Sequence, residues 1–259
     1  MRKQIIAWAL ACAAAFSATA HAADKLVIGT EGAYPPFNFV DPAGKIGGFD
    51  VEIGLALCAK MKVECDVVAQ DWDGIIPGLI AKKYDMIIAS MFITEERKKQ
   101  VAFTDPYYIA AMTHAAPKNS GITDFTDEGM KGKTIGAQSG TTQADYVAAV
   151  YPDADIKLYP TQDEVNLDMV NGRLDLQVGD MIPLLDWVTK NEDGKACCEL
   201  IGQPITDKKF VGDGVGIAVR QEDNDLREKL NKALADIRAD GTYKAINDKY
   251  FSIDVYTMK

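Results

Sequence analysis

The chain has 259 residues, with 28 Lys or Arg against 38 Asp or Glu and a formal charge of −10. An acidic excess of this size argues against nucleic acid and anionic membrane surfaces as partners, and it is compatible with a cationic ligand without locating one. Only two His occur, His21 inside the segment read below as a signal and His114, and no Cys or His spacing fits zinc, which argues strongly against a His-based metal site or catalytic triad; no cofactor is expected.

Residues 1–22 read as a secretory signal: Arg2 and Lys3 are the basic start, Ile5 to Phe16 the apolar run, and Ala20-His21-Ala22 an A-x-A cleavage site. The run is too short to span a bilayer. A lipoprotein reading at Cys12 is weaker, because Ala9-Leu10-Ala11-Cys12 lacks the usual Leu three residues before the Cys. Cleavage after Ala22 leaves 26 basic residues against 38 acids, 26 − 38 = −12. No later stretch is apolar enough to cross a membrane, so the mature protein is expected to be exported, periplasmic and soluble.

Lys25–Gly29 predicts a first strand, and residues 30–38 (TEGAYPPFN) a loop broken by Gly and two Pro. A helix is expected over Gly47–Met61 and a strand over Val63–Ala69. Residues 71–90 (DWDGIIPGLIAKKYDMIIAS) and 161–180 (TQDEVNLDMVNGRLDLQVGD) then align without a gap. Asp73 matches Asp163, Lys83 matches Arg173 and Asp85 matches Asp175, with apolar positions in register. Each copy predicts a capped helix, a basic turn and an apolar strand ending in a polar residue, Ser90 or Asp180. Ligands of open α/β sheets bind at the carboxyl ends of strands, so the repeat points to two similar lobes sharing a cleft. Between the copies, residues 109–116 read as an extended connector, and Lys133–Ala137 opens the second α/β pattern. Ile156–Tyr159 and Val215–Val219 read as strands, and Asp225–Ala239 as an amphipathic helix stopped by Gly241. Connectors near 110–116 and 202–212 would make a hinge.

Four Cys follow the signal. Cys58 and Cys65 are close enough in sequence for a local disulfide in an oxidising compartment. The adjacent Cys197 and Cys198 are expected as free or cross-paired thiols.

Several polar residues have two readings. Arg97 follows Thr94-Glu95-Glu96, a helix start where a cation opposes the dipole. It either pairs locally with Glu95 or Glu96, or it is a guanidinium held for a carboxylate. Ser139-Gly140-Thr141-Thr142-Gln143 is either a helix cap or an anion-binding turn. Asp180 either caps the helix that follows or binds an ammonium group. Tyr34 and Trp72 either pack in the core or flank a ligand, with Glu31 pairing a distal cation.

The stretch Gly48-Phe49-Asp50-Val51-Glu52-Ile53, continuing to Leu57-Cys58 and Met61, resembles the signature of the bacterial family 3 extracellular solute-binding proteins. GTEGAYPPFNF, DWDGIIPGL, ITEERK, FTDPYY, GAQSGTTQ, DGVGIAVR and ADGTYKAINDKYF fit in order, so the resemblance covers residues 24–256. It points to the lysine/arginine/ornithine-, histidine- and opine-binding branch. It implies an α/β, two-lobe periplasmic binding protein fold (type II) hinged by two crossovers, with lobe 1 at 23–111 and 206–259 and lobe 2 at 112–205. It also implies a monomer without catalytic activity that delivers an amino acid to the membrane permease of an ABC importer.

By motif match, Arg97 would bind the α-carboxylate with backbone N–H groups near Phe92 and Thr142, and Asp180 and Ser90 would bind the α-amino group. Tyr34 and Trp72 would sandwich the side chain, and Glu31 would pair its cation. Gln138, Thr141 and Gln143 would line the second-lobe wall, with Ala89 and Met91 beside Ser90. Cys58 and Cys65 match that branch's disulfide. Phe92 stands where relatives carry Ser, and Glu31 is one methylene longer than the usual Asp. Both departures favour weighing an arginine-derived opine or amine beside arginine, lysine, ornithine or histidine. The remote alternative is an exported dehydratase, which needs a protonated carboxylic acid.

Overall fold

The computed structural model describes residues 25–257; the signal sequence, its cleavage site and the two residues after it lie outside that range. The first half runs β1 (Lys25–Thr30), β2 (Ala33–Tyr34), β3 (Asn38–Val40), β4 (Ile46–Gly47), α1 (Phe49–Met61), β5 (Glu64–Ala69), α2 (Ile75–Ile80), β6 (Met86–Ile87), α3 (Glu95–Lys98) and β7 (Ala102–Phe103). The middle runs β8 (Met112–Pro117), α4 (Asp127–Met130), β9 (Thr134–Gln138), α5 (Thr142–Val150), β10 (Asp155–Tyr159), α6 (Gln162–Val170), β11 (Leu176–Asp180), α7 (Met181–Lys190), α8 (Glu192–Cys197) and β12 (Cys198–Ile205). The chain finishes with α9 (Lys208–Val211), β13 (Ala218–Val219), α10 (Asn224–Ala239) and α11 (Thr242–Tyr250).

Two five-stranded sheets follow one plan. Their orders are β5-β1-β6-β13-β7 and β10-β9-β11-β8-β12, each with three parallel strands and then two antiparallel steps. The fourth strand of each sheet is the one that has just crossed between lobes. β8 enters the second sheet after the chain leaves β7, and β13 enters the first after it leaves β12.

The segment expected as an extended connector at 109–116 is therefore mostly β8, buried between β11 and β12. Its small and apolar residues suit a central strand covered on both faces. The first repeat copy also builds a shorter α-helix than the second, Ile75–Ile80 against Gln162–Val170, because its first turn, Trp72–Gly74, is a 3-10 turn; the two helices end at aligned positions.

Local chemistry fixes the ends that matter. Gly48 precedes α1 with φ of 116°, and a Cβ there would lie 2.3 Å from the Phe37 carbonyl oxygen. Only glycine fits that turn, and it lets Phe37 stack on Tyr108 at 4.9 Å while Phe49 packs edge-on against both. The Cys58–Cys65 disulfide ties the end of α1 to β5 around Lys62, which is left-handed. Cys197 and Cys198 are not free thiols but joined to each other. They straddle the step from α8 into β12, where the backbone switches from helical to extended between them.

Candidate functional site

A cavity lies between the two sheets at the carboxyl ends of their parallel strands. Glu31, Tyr34, Trp72, Ala89, Ser90, Phe92 and Arg97 line it from the first lobe, and Gln138, Thr141, Thr142, Gln143, Gln162 and Asp180 from the second. Every residue that the resemblance places at the ligand is there except Met91, whose side chain is buried in the neighbouring apolar core with Ile87 and Phe103. Gln162 was not anticipated. The repeat contained the signal, because Gln162 occupies the position of Trp72, as Gly179 matches Ala89 and Asp180 matches Ser90.

Arg97 is the cavity's cation. Thr94 caps α3 by accepting the Arg97 backbone N–H at 3.3 Å. The acids beside Arg97 are engaged elsewhere: Glu95 pairs with Lys98 and Glu96 with Lys99. The guanidinium instead turns inward, donates to the Phe92 carbonyl at 3.1 Å and lies over the Trp72 ring at 5.2 Å. It makes no ion pair among the described residues. Burial lowers its pKa to about 10, against attraction from Asp145 and Asp180, so it remains charged at neutral pH.

The acids sit across the cavity. Asp180 holds the N-cap position of α7, yet its side chain does not cap the helix. It accepts from the Gln143 amide instead. Burial pushes it up to about 7, opposed by hydrogen bonds from Tyr34 and Gln143 and by Arg97. Glu31 also reaches about 7, through burial and nearby Asp163, Asp71 and Asp73, despite accepting from the Gln138 amide at 2.5 Å. Both groups are poised to ionise when a cation replaces lost water.

Ser90 is preset as an acceptor. Its hydroxyl donates at 2.9 Å to Asp50, a buried acid in the first turn of α1 that also accepts from Asn38 at 2.9 Å and Tyr107 at 2.7 Å. With its proton committed, the Ser90 oxygen offers lone pairs to the cavity. Ser90 itself is left-handed, φ 53°, a conformation uncommon for a non-glycine residue.

Hydrogen bonds from opposite sheets close the cleft. Trp72 Nε1 donates to the Gly140 carbonyl at 3.0 Å, and the Ser139 hydroxyl reaches the Asp73 carboxylate at 3.0 and 3.1 Å. Thr141 caps α5 by accepting from the Ala144 N–H, so this turn is both a cap and a cavity wall. Among the described residues no group of three or more His, Cys, Asp or Glu could hold a metal ion. No described helix is long and apolar enough to cross a membrane.

Two similar α/β lobes, crossed twice by the chain and closed over a cavity with a cation on one side and acids on the other, define a binding protein for a small charged solute. Residues 26–253 match the bacterial extracellular solute-binding proteins, family 3, and the chain belongs to that family. It is 44% identical to the L-arginine-binding protein of Pseudomonas aeruginosa, covering 99% of each chain. It is 38% identical to the lysine/arginine/ornithine-binding periplasmic protein of Escherichia coli, again over 99% of each. An ancestral arginine-binding protein solved with arginine bound superposes with a TM-score of 0.81 at 38% identity, covering 90% of this chain and 100% of that one. These relatives are amino-acid-binding proteins, not enzymes.

Proposed function

We propose that this protein is the periplasmic substrate-binding component of an ABC importer and takes a cationic amino acid, with L-arginine the first candidate. The observation that carries the reading is the split of charge in one buried cavity. Arg97 lies on one side, without an ion-pair partner among the described residues, and Asp180 and Glu31 face the same space. A zwitterion with a cationic side chain supplies the opposite charge to all three.

Arg97 takes the α-carboxylate. Asp180 and the preset Ser90 oxygen take the α-amino group, and Glu31 takes the side-chain cation. Tyr34 and Trp72 flank the aliphatic stem. Thr141, Thr142 and Gln143 complete the wall beside Arg97 and Asp180. The lobes divide at 111/112 and 205/206, where the chain passes into β8 and out of β12. Residues 1–22 direct export and are cleaved off after Ala22, and a monomer delivers the ligand to the permease.

A second reading, an arginine-derived opine or amine, is favoured by Phe92, an apolar residue among those lining the cavity. Calorimetric titration of refolded, ligand-stripped protein with L-arginine, L-lysine, L-ornithine, L-histidine, L-glutamine, agmatine and arginine-derived opines decides between them. Tight binding of a standard cationic amino acid supports the first reading. Binding only of the derivatives selects the second, and no binding by any of them overturns both.

A further inference from the structure

We infer that Gln162 is a specificity-determining residue of this cavity, presenting its amide oxygen to the guanidinium of a ligand side chain. The inference rests on the cationic-ligand reading above and extends it from cations in general to guanidinium in particular.

A glutamine amide has two N–H donors and one carbonyl oxygen. Both donors of Gln162 are committed away from the ligand: Nε2 lies 2.8 Å from Gln177 Oε1 and 3.2 Å from Asn166 Oδ1. The side chain is 5% exposed and lies against Gly179, where an added Cβ would sit 3.1 Å from Gln162 Oε1. Among the described residues no donor reaches that oxygen, so its lone pairs belong to the cavity.

Gln138 is arranged in the same way. Its Nε2 donates to Glu31 Oε1 at 2.5 Å and to the Pro160 carbonyl at 3.0 Å, leaving its own oxygen as an acceptor. Gln138 ends β9, and Gly179, on which Gln162 rests, lies on β11, the strand paired with β9. The Glu31 carboxylate and two glutamine oxygens therefore make a wall that only accepts. A guanidinium brings five N–H donors in a plane and an ammonium three on a point charge. The guanidinium spreads its donors over a rigid planar fork that reaches separated acceptors along the wall, whereas the ammonium directs its three from a single point, and that difference in reach discriminates between ligands.

The test compares Gln162→Met and Gln162→Glu with wild type, titrating L-arginine and L-lysine by calorimetry, with the thermal midpoint of each ligand-free protein as a check on folding. Gln162→Met should weaken L-arginine by roughly 10- to 100-fold, the range for a hydrogen bond to a charged group. It should weaken L-lysine much less, so the selectivity ratio falls. Gln162→Glu keeps an acceptor and should retain L-arginine binding. Unchanged L-arginine affinity in Gln162→Met, or loss of binding in Gln162→Glu with an unaltered midpoint, overturns the inference while leaving the cationic reading intact. Should Gln162→Met fail to fold, Gln162→Glu decides alone. A wild type that binds neither amino acid sinks both.

Discussion

Asp85 and Asp175 make the same two hydrogen bonds in the two lobes. Asp85 accepts the Val27 N–H on its carboxylate at 2.9 Å and donates its own N–H to the Val27 carbonyl at 2.8 Å. Asp175 does this with Thr134, at 2.8 and 2.9 Å. Each acid thus locks the strand that delivers a cavity residue, Ser90 or Asp180, to the strand beside it. Asp85 has a further partner, Arg220, at 3.2 Å. Asp85→Ala should therefore destabilise by about 1–3 kcal/mol and Asp175→Ala by less, since only the first also removes an ion-pair partner of the largely buried Arg220, which keeps Asp223 at 2.6 Å. Urea unfolding of the two variants checks the order; equal losses would contradict it.

Arg97→Met should weaken ligand binding by at least roughly 100-fold, because the carboxylate loses its only cationic partner in a dry site. The ligand-free variant should melt no lower than wild type, since the substitution removes a buried charge with no ion-pair partner among the described residues. Titration and thermal scans read the two effects separately. A variant that binds normally would remove Arg97 from the site.

Binding should depend on pH. Glu31 and Asp180 stand at about 7 in the closed, ligand-free protein, above their ordinary 4.5 and 3.8. An acid whose pKa is raised on folding contributes stability below its unfolded value and loses it as pH rises through the folded one. The ligand-free closed form should therefore lose stability between about pH 4 and 7. A cationic ligand favours the charged acids and reverses that loss, so affinity should fall as pH drops through this window and binding should release protons near pH 7. Calorimetry in buffers of different ionisation enthalpy counts them, and Glu31→Gln should release fewer.

Gly140→Ala should hinder closure. Gly140 has φ of 64°, and a Cβ would stand 3.0 Å from the Asp73 carboxylate that receives Ser139. The left-handed strain, about 1 kcal/mol, is carried with and without ligand and should lower the thermal midpoint of both forms. The contact with Asp73 exists only where the lobes meet, so it should weaken ligand binding. Small-angle scattering should show a weaker ligand-induced contraction.

Replacing Cys58 and Cys65 together by Ala should cost roughly 2 kcal/mol, the chain-entropy value for so short a loop, without changing affinity. The bridge lies at the far end of α1 from Gly48 and Asp50. Urea unfolding and titration check the two halves of this statement.

The repeat was the most legible part of the sequence. It revealed two equivalent helix–strand units, and the strand-end rule then placed Ser90 and Asp180 at a shared cleft. Arg97, Glu31 and the aromatic pair each had two readings from the residues, and the family resemblance favoured the ligand-binding one. Gln162 was hidden because glutamine at the first position of a helix reads as an ordinary polar residue; only its alignment with Trp72 singles it out. Met91 failed in the other direction, because adjacency to Ser90 does not set direction, and its side chain turns to the opposite side, into the core. The strand character of 112–117 was obscured by its own composition, Met-Thr-His-Ala-Ala-Pro, which carries no clear period. Phe92 was legible as a departure; it is among the residues lining the cavity, packs in the apolar core, and accepts from Arg97 on its carbonyl.

The borrowed fourth strand of the first sheet has a consequence for how the molecule is made. A chain exported as proposed above emerges amino end first, with β1, β5, β6 and β7 all available early. Yet β7 touches that sheet only through β13, which arrives after the whole second lobe. The second sheet draws all five strands from the continuous stretch 112–205. Emerging from the translocon, the later-encoded lobe can therefore finish folding before the earlier one, which waits half-built for its tail.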